Sequence, residues 1–129
     1  MAEAITTNSF RKRLAHFFYD GASTPPLAKF KYMAFGDGGH DVNRVAITPD
    51  ADQTALNHEL LRIEVTSIEQ EDDYSTTGVG TLAKADLVGS NISEAGLLDE
   101  NGSLLGFRNF APKVKESDEE FVIRIKLKF

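Results

Sequence analysis

The chain has 129 residues and no cysteine, with 41% hydrophobic and 26% charged residues, a formal net charge of −6 and a pI near 5.0. That length and apolar content suffice for one compact core and leave little for a second domain. The absence of cysteine excludes disulfide staples and thiolate metal sites and leaves the redox compartment open, while net acidity argues against a general nucleic-acid binder, whose affinity comes from Lys and Arg displacing phosphate counterions.

No apolar stretch approaches the roughly 20 residues needed to cross a bilayer, and the N-terminus lacks the uninterrupted apolar run of a signal peptide. A soluble protein made inside a cell, without membrane insertion, is therefore expected. The charge is unevenly divided. Up to Phe35 the basic residues Arg11, Lys12, Arg13, Lys29 and Lys31 outnumber Glu3 and Asp20, whereas the remainder is strongly acidic. Such a division is most often a solvated surface, and it also suits orienting subunits in an assembly.

In chain order, Thr7 or Asn8 caps a helix whose Phe10, Leu14, Phe17 and Phe18 follow the spacing of one buried face, and Gly21 ends it. Arg11, Lys12 and Arg13 fall on the opposite face, so a membrane-surface or nucleic-acid role is weighed against plain docking of the helix on the domain, and docking is favoured for one short helix with three charges. Ser23-Thr24-Pro25-Pro26 is a rigid connector, because proline fixes its own φ and restricts the residue before it. It closes an N-terminal part, residues 1–27, ahead of a β domain over residues 28–129. Alternation predicts a strand over Ala28 to Phe35, stopped by Gly36-Asp37-Gly38-Gly39. A short strand is possible around Val42 to Ile47, and Asp52 or Thr54 is placed to cap one helical turn through Leu56 and His58.

Leu61, Ile63 and Val65 alternate with Arg62, Glu64 and Thr66 as in a half-buried strand, and Glu69 to Asp73 is an exposed loop. Thr76 to Val88 reads as another strand, in which Gly78 and Gly80 point to a bulge or a close backbone approach. Ile92 to Leu98 and Ser103 to Phe110 flank Asp99-Glu100-Asn101-Gly102, a hairpin signal because Asn and Gly both tolerate positive φ. Ala111 to Glu120 is a polar connection, and its acidic run from Glu116 is either solvated or meets a basic partner such as the helix of another subunit. Phe121, Ile123, Ile125, Leu127 and Phe129 form the inward side of the clearest strand. Hairpin-sized links make the whole a single mainly β (α+β) domain over residues 1–129, an antiparallel sheet or β-sandwich with one N-terminal amphipathic helix.

Chemistry has few places to reside. Gly36-Asp37-Gly38-Gly39-His40-Asp41 puts two carboxylates and an imidazole in one loop, enough to consider a divalent ion, but it lacks the later acidic ligands of a calcium loop and the paired histidines of a zinc protease. Its bland reading is a tight turn in which glycine supplies positive φ and Asp37 caps local amides. Neither a phosphate-loop Lys and Ser/Thr nor a nucleophile elbow around Ser67 or Ser93 is present. Glu59 and Arg62, three apart, and Glu94 beside Gly96 suit tying down loops better than catalysis. No catalytic residue, metal or cofactor is expected.

Taken in order, Tyr32-Met33-Ala34-Phe35-Gly36-Asp37-Gly38-Gly39, then Gln53-Thr54-Ala55-Leu56 with Glu59 and Arg62, then Ile92-Ser93-Glu94-Ala95-Gly96-Leu97-Leu98-Asp99-Glu100-Asn101-Gly102, and finally Gly106-Phe107 and Asn109-Phe110, resemble the N-terminal domain of phage tail-collar fibre proteins. The resemblance runs from about Lys29 to Phe110. It implies a structural, non-enzymatic protein of a contractile tail, of phage, prophage or phage-like particle, made in the bacterial host cytoplasm and built into the virion. It further implies a homo-oligomer, a trimer by preference, that attaches a fibre to baseplate or collar subunits. Gly36, Asp37 and Gly38 would then form a fixed turn, Glu59 with Arg62 a polar brace, and Glu94 a carboxylate holding the adjacent loop; Thr54, Leu56, Gly96, Asn101 and Gly102 complete the motif. The start of the helix is more basic than that family's, and Arg11, Lys12 and Arg13 are candidates for partner binding. A last strand that finishes at Phe129 leaves no shaft, so a stand-alone adaptor, collar or decoration subunit, or an excised piece of a fibre, is expected. The alternative is a metal- or glycan-binding recognition module using the Asp37 to Asp41 loop.

Overall fold

Thr7 organises the first turn of the chain. In the computed structural model, which describes residues 4–129, its side-chain oxygen accepts from the Phe10 N–H and opens helix α1 (Asn8–Asp20), which Gly21 ends in the left-handed region at φ 72°. The same hydroxyl donates to the Leu104 carbonyl at 2.8 Å, so the cap also fastens the helix to the sheet. Strand β1 (Ile5–Thr6), just before it, pairs with β7 (Leu104–Val114).

The fold is mainly β with one helix and two antiparallel sheets. Five strands lie in the order β1-β7-β6-β2-β3, with β2 spanning Phe30–Gly36, β3 Glu59–Glu64 and β6 Asn91–Asp99. Three more lie in the order β4-β5-β8, covering Ser67–Glu69, Ser75–Leu82 and Phe121–Lys128. Alternating residues of β8, Ile123, Ile125 and Leu127, meet Met33, Phe35, Leu97 and Leu105 of the larger sheet in one core. Three glycines let the sheets approach closely: a Cβ on Gly78 or Gly80 of β5 would overlap Leu97 or Met33, and one on Gly106 of β7 would overlap Leu127.

Several elements depart from the sequence pattern. The helix docks through its first turns only: Phe10 is buried and Leu14 half-buried, while Phe17 and Phe18 are 38% and 80% exposed. Arg13, assigned to the outer face, is 7% exposed and its Nη1 donates to the Asp99 carboxylate at 3.2 Å. It shares the i, i+3 side with Phe10, and a buried acceptor outweighs its preference for water. No strand forms around Val42 to Ile47 beyond a bridge between His40 and Ala46, because the Asp41 carboxylate takes the N–H groups of Asn43 and Val45. The turn after Asp52 is not helical; that side chain accepts from Asn8 instead of capping.

Strand β5 stops at Leu82 rather than Val88, as Asp86 captures the Ala83 N–H and folds the chain into a turn. Lys115, placed by its polar neighbours in a connection, is buried, donating through Nζ to the Lys84 and Glu116 carbonyls and fixing that turn. Strand β7 therefore runs on through Pro112 to Val114; β1 reaches only Gly106 and Phe107, so proline's missing donor lies on an open edge. At the β6–β7 turn only Gly102 has positive φ, 79°, while the Asp99 carboxylate accepts from the Asn101 and Ser103 N–H groups.

Asp99 thus serves the turn and the helix together. Asp99→Ala strands the buried Arg13 charge and two amides and should lower the urea-unfolding free energy by about 3–5 kcal/mol. Asp99→Asn retains an acceptor for the turn and should cost distinctly less; equal losses would show that the turn bonds contribute nothing beyond the ion pair that both variants remove.

Candidate functional site

The motif residues gather on the face of the five-stranded sheet that points away from the second sheet. Strand register sets them in rows: Gly36 lies between Glu94 of β6 and Glu59 of β3, and Ala34 between Gly96 and Arg62. The segment from Asp37 to His58 folds back over this face. Leu56 anchors it there, packing with Ala34, Leu98, Leu104 and Phe107, and Gly96 leaves the room that Leu56 occupies. Strand β6 is consequently buried on both faces.

Glu94 holds the segment at both ends. It is 0% exposed, and its Oε2 accepts from the Gly38 and His58 N–H groups and its Oε1 from the Asn57 N–H, each at 2.8 Å. Charge-assisted bonds to three amides offset the cost of removing a carboxylate from water. Gly36, Gly38 and Gly39 are required by proximity: none has positive φ, contrary to the sequence reading, and a Cβ on each would overlap Glu94 or the backbone of Ser93 or His58. Asp37 likewise does not cap local amides; its carboxylate pairs with Nδ1 of His58.

Further ties come from residues the sequence reading did not connect. The Ser93 hydroxyl accepts from the Gly39 N–H and bonds Nδ1 of His40 at 2.7 Å, and Asn109 donates to the Ile47 carbonyl at 2.9 Å. Asn57 donates to the Gly38 carbonyl. Arg62 and Glu59 form a two-bond fork, 3.1 and 2.9 Å, on the exposed edge, beside Gly102. Asn101 donates to the Pro26 carbonyl, which ties the hairpin to the connector. Thr54 is exposed on the covering segment. Arg11 and Lys12 are exposed on the helix, whereas Arg13 is withdrawn by burial.

These groups are committed to holding backbone. Asp37 faces His58, Asp41 faces its own loop amides, and among the described residues no three His, Cys, Asp or Glu side chains come together around a point that would hold a metal ion. Ser93 and His40 touch, but Ser93 is buried and no carboxylate orients the imidazole among the described residues. No helix among them is long and apolar enough to cross a membrane.

A sheet covered on both faces, with its polar groups spent on fixing one long loop, defines a β-rich structural domain. The chain belongs to the phage tail-collar fibre protein N-terminal family, whose model matches residues 1–127. That family is structural and virion-associated, among other proteins of the tail, and the chain shares this character. No curated protein matches it.

Glu94→Ala should leave three amides without partners and cost about 3 kcal/mol or more in chemical denaturation, with early loss of hydrogen-exchange protection at Gly38, Asn57 and His58. Unchanged protection there would remove Glu94 from its role. Asp37, by hydrogen bond and charge, raises the His58 pKa above its ordinary value of 6.5. A raised folded value means the pair's stabilisation is complete below about pH 6.5 and lost as pH rises through the folded value. The stability gap between the wild type and Asp37→Asn should accordingly shrink from pH 5 toward about pH 9, and the His58 titration followed by NMR should fall back in the variant.

Proposed function

We propose that this domain anchors a fibre, or a neighbouring subunit, to the baseplate or collar of a phage or phage-like tail, without catalysis. The observation that carries the reading is the convergence of Gly36, Asp37, Gly38, Leu56, Glu94 and Gly96 on one fixed surface, where each shapes or immobilises the Asp37 to His58 segment. A docking surface gains from such rigidity, because less ordering entropy is lost on contact. Glu59 with Arg62, and Asn101 with Gly102, hold its border, and Arg11 and Lys12 offer exposed charge to a partner. The two sheets and the helix share one core, which supports a single cooperative domain over residues 1–129, and a homo-oligomer, a trimer by preference, fits the reading.

Particles purified from a strain carrying an epitope-tagged copy test it. The chain should co-purify with tails and label them at the baseplate or collar end by electron microscopy. Particles that lack the chain, or label confined to the head, would sink the proposal.

A further inference from the structure

The apolar stripe of α1 continues beyond the domain that covers it. Positions 10, 14 and 17 share the docking side of the helix, where Phe17 is still only 38% exposed, whereas Phe18, 80% exposed, lies at the margin of that side and Tyr19, 88% exposed, about 100° further round toward solvent. Phe17 and Phe18 stack edge to face with ring centroids 5.7 Å apart. Arg11 lies two turns before Phe18 and Lys12 two turns before Tyr19, both exposed. Single exposed apolar residues are ordinary, but Phe18 and Tyr19 side by side on the last turn, with Arg11 and Lys12 on the same outer side, form a patch.

Elsewhere the end of β7 and the start of β8 bound an open groove of about 750 Å³. Phe110, Phe121, Val122 and Ile123 give it an apolar lining. Glu119 and Glu120 border it and belong to an acidic loop with Glu116 and Asp118; of the basic residues alongside, Arg108 lies over the Phe110 ring and Lys113 is exposed. The aromatic tip suits the apolar lining, and its two cations suit the acidic loop of four carboxylates that borders the groove.

We propose that the Phe18-Tyr19 tip of α1 seats in the β7–β8 groove of a second copy of this chain, with Arg11 and Lys12 facing the Glu116 to Glu120 loop. The contact is heterologous: each copy gives a helix and receives one. This rests on the reading of the domain as an oligomeric tail component, and names its self-contact.

The test is sedimentation of the full chain at low and high salt. The wild type should form a discrete oligomer that weakens with salt. Phe18→Ser should weaken association by at least about tenfold, while circular dichroism and thermal unfolding stay near wild type because that side chain is 80% exposed. Glu119→Lys with Glu120→Lys should also weaken it, and Arg11→Glu with Lys12→Glu in the same chain should restore it. In this cysteine-free background, Phe18→Cys mixed with Val122→Cys should cross-link on oxidation faster than either variant alone. A wild type monomeric at about 200 μM, association indifferent to the Phe or charge variants, or no preferential cross-link would overturn the proposal. A monomeric chain still found on tails would overturn this contact and leave attachment standing; an oligomer absent from particles would do the reverse.

Discussion

A carboxylate removed from water persists in a fold only if donors surround it, and Glu94 meets that requirement with backbone rather than with a counter-charge. Its donors come from the two ends of one segment, Gly38 near the start and Asn57 with His58 at the finish, so a single side chain closes a loop of about twenty residues. Side chains at 36, 38 and 39 would push that carboxylate or its neighbours away, which is why glycine recurs there. With the loop closed, Leu56 is carried onto the outer face of the sheet and a second small core forms over Ala34, Leu98 and Phe107.

The outcome is a sheet of unusual economy for an antiparallel one. Such sheets commonly keep one face in water, but here the central strands are dry on both sides, under the smaller sheet and under the loop. Ser93, beside Glu94 on β6, and Asn109, on the neighbouring strand, add separate bonds to the covering segment, so its position does not depend on apolar contact alone. At the other end of the hairpin Asp99 joins the turn to the helix through Arg13. Two carboxylates on β6, five residues apart, thereby fix the loop and the helix to one strand.

What was legible in the sequence was local. The alternation of β8, the cap at Thr7, the stop at Gly21 and the hairpin around Asn101 are each set by neighbours a few residues apart, and the mainly β architecture with one helix followed from them. Where the reading departed, a distant partner or a local side-chain bond decided. Nothing near Arg13 announces Asp99, 86 residues on. The alternation after Leu82 is real, but Asp86 and the buried amine of Lys115 bind the backbone there into a turn. Pairings such as Asp37 with His58 and His40 with Ser93 join segments whose sequences carry no mutual signal, so the site's chemistry became visible only with the register of the strands.

The glycines facing the core add a mechanical property. Leu97 and Met33 press from the larger sheet onto bare backbone of β5, and Leu127 presses from the smaller sheet onto bare backbone of β7. Pegs enter sockets in both directions, so neither sheet can slide along the other without first lifting away and giving up close-packed contact. The sandwich is keyed like a joint. A thrust delivered to the covering loop would pass through the domain with little yield.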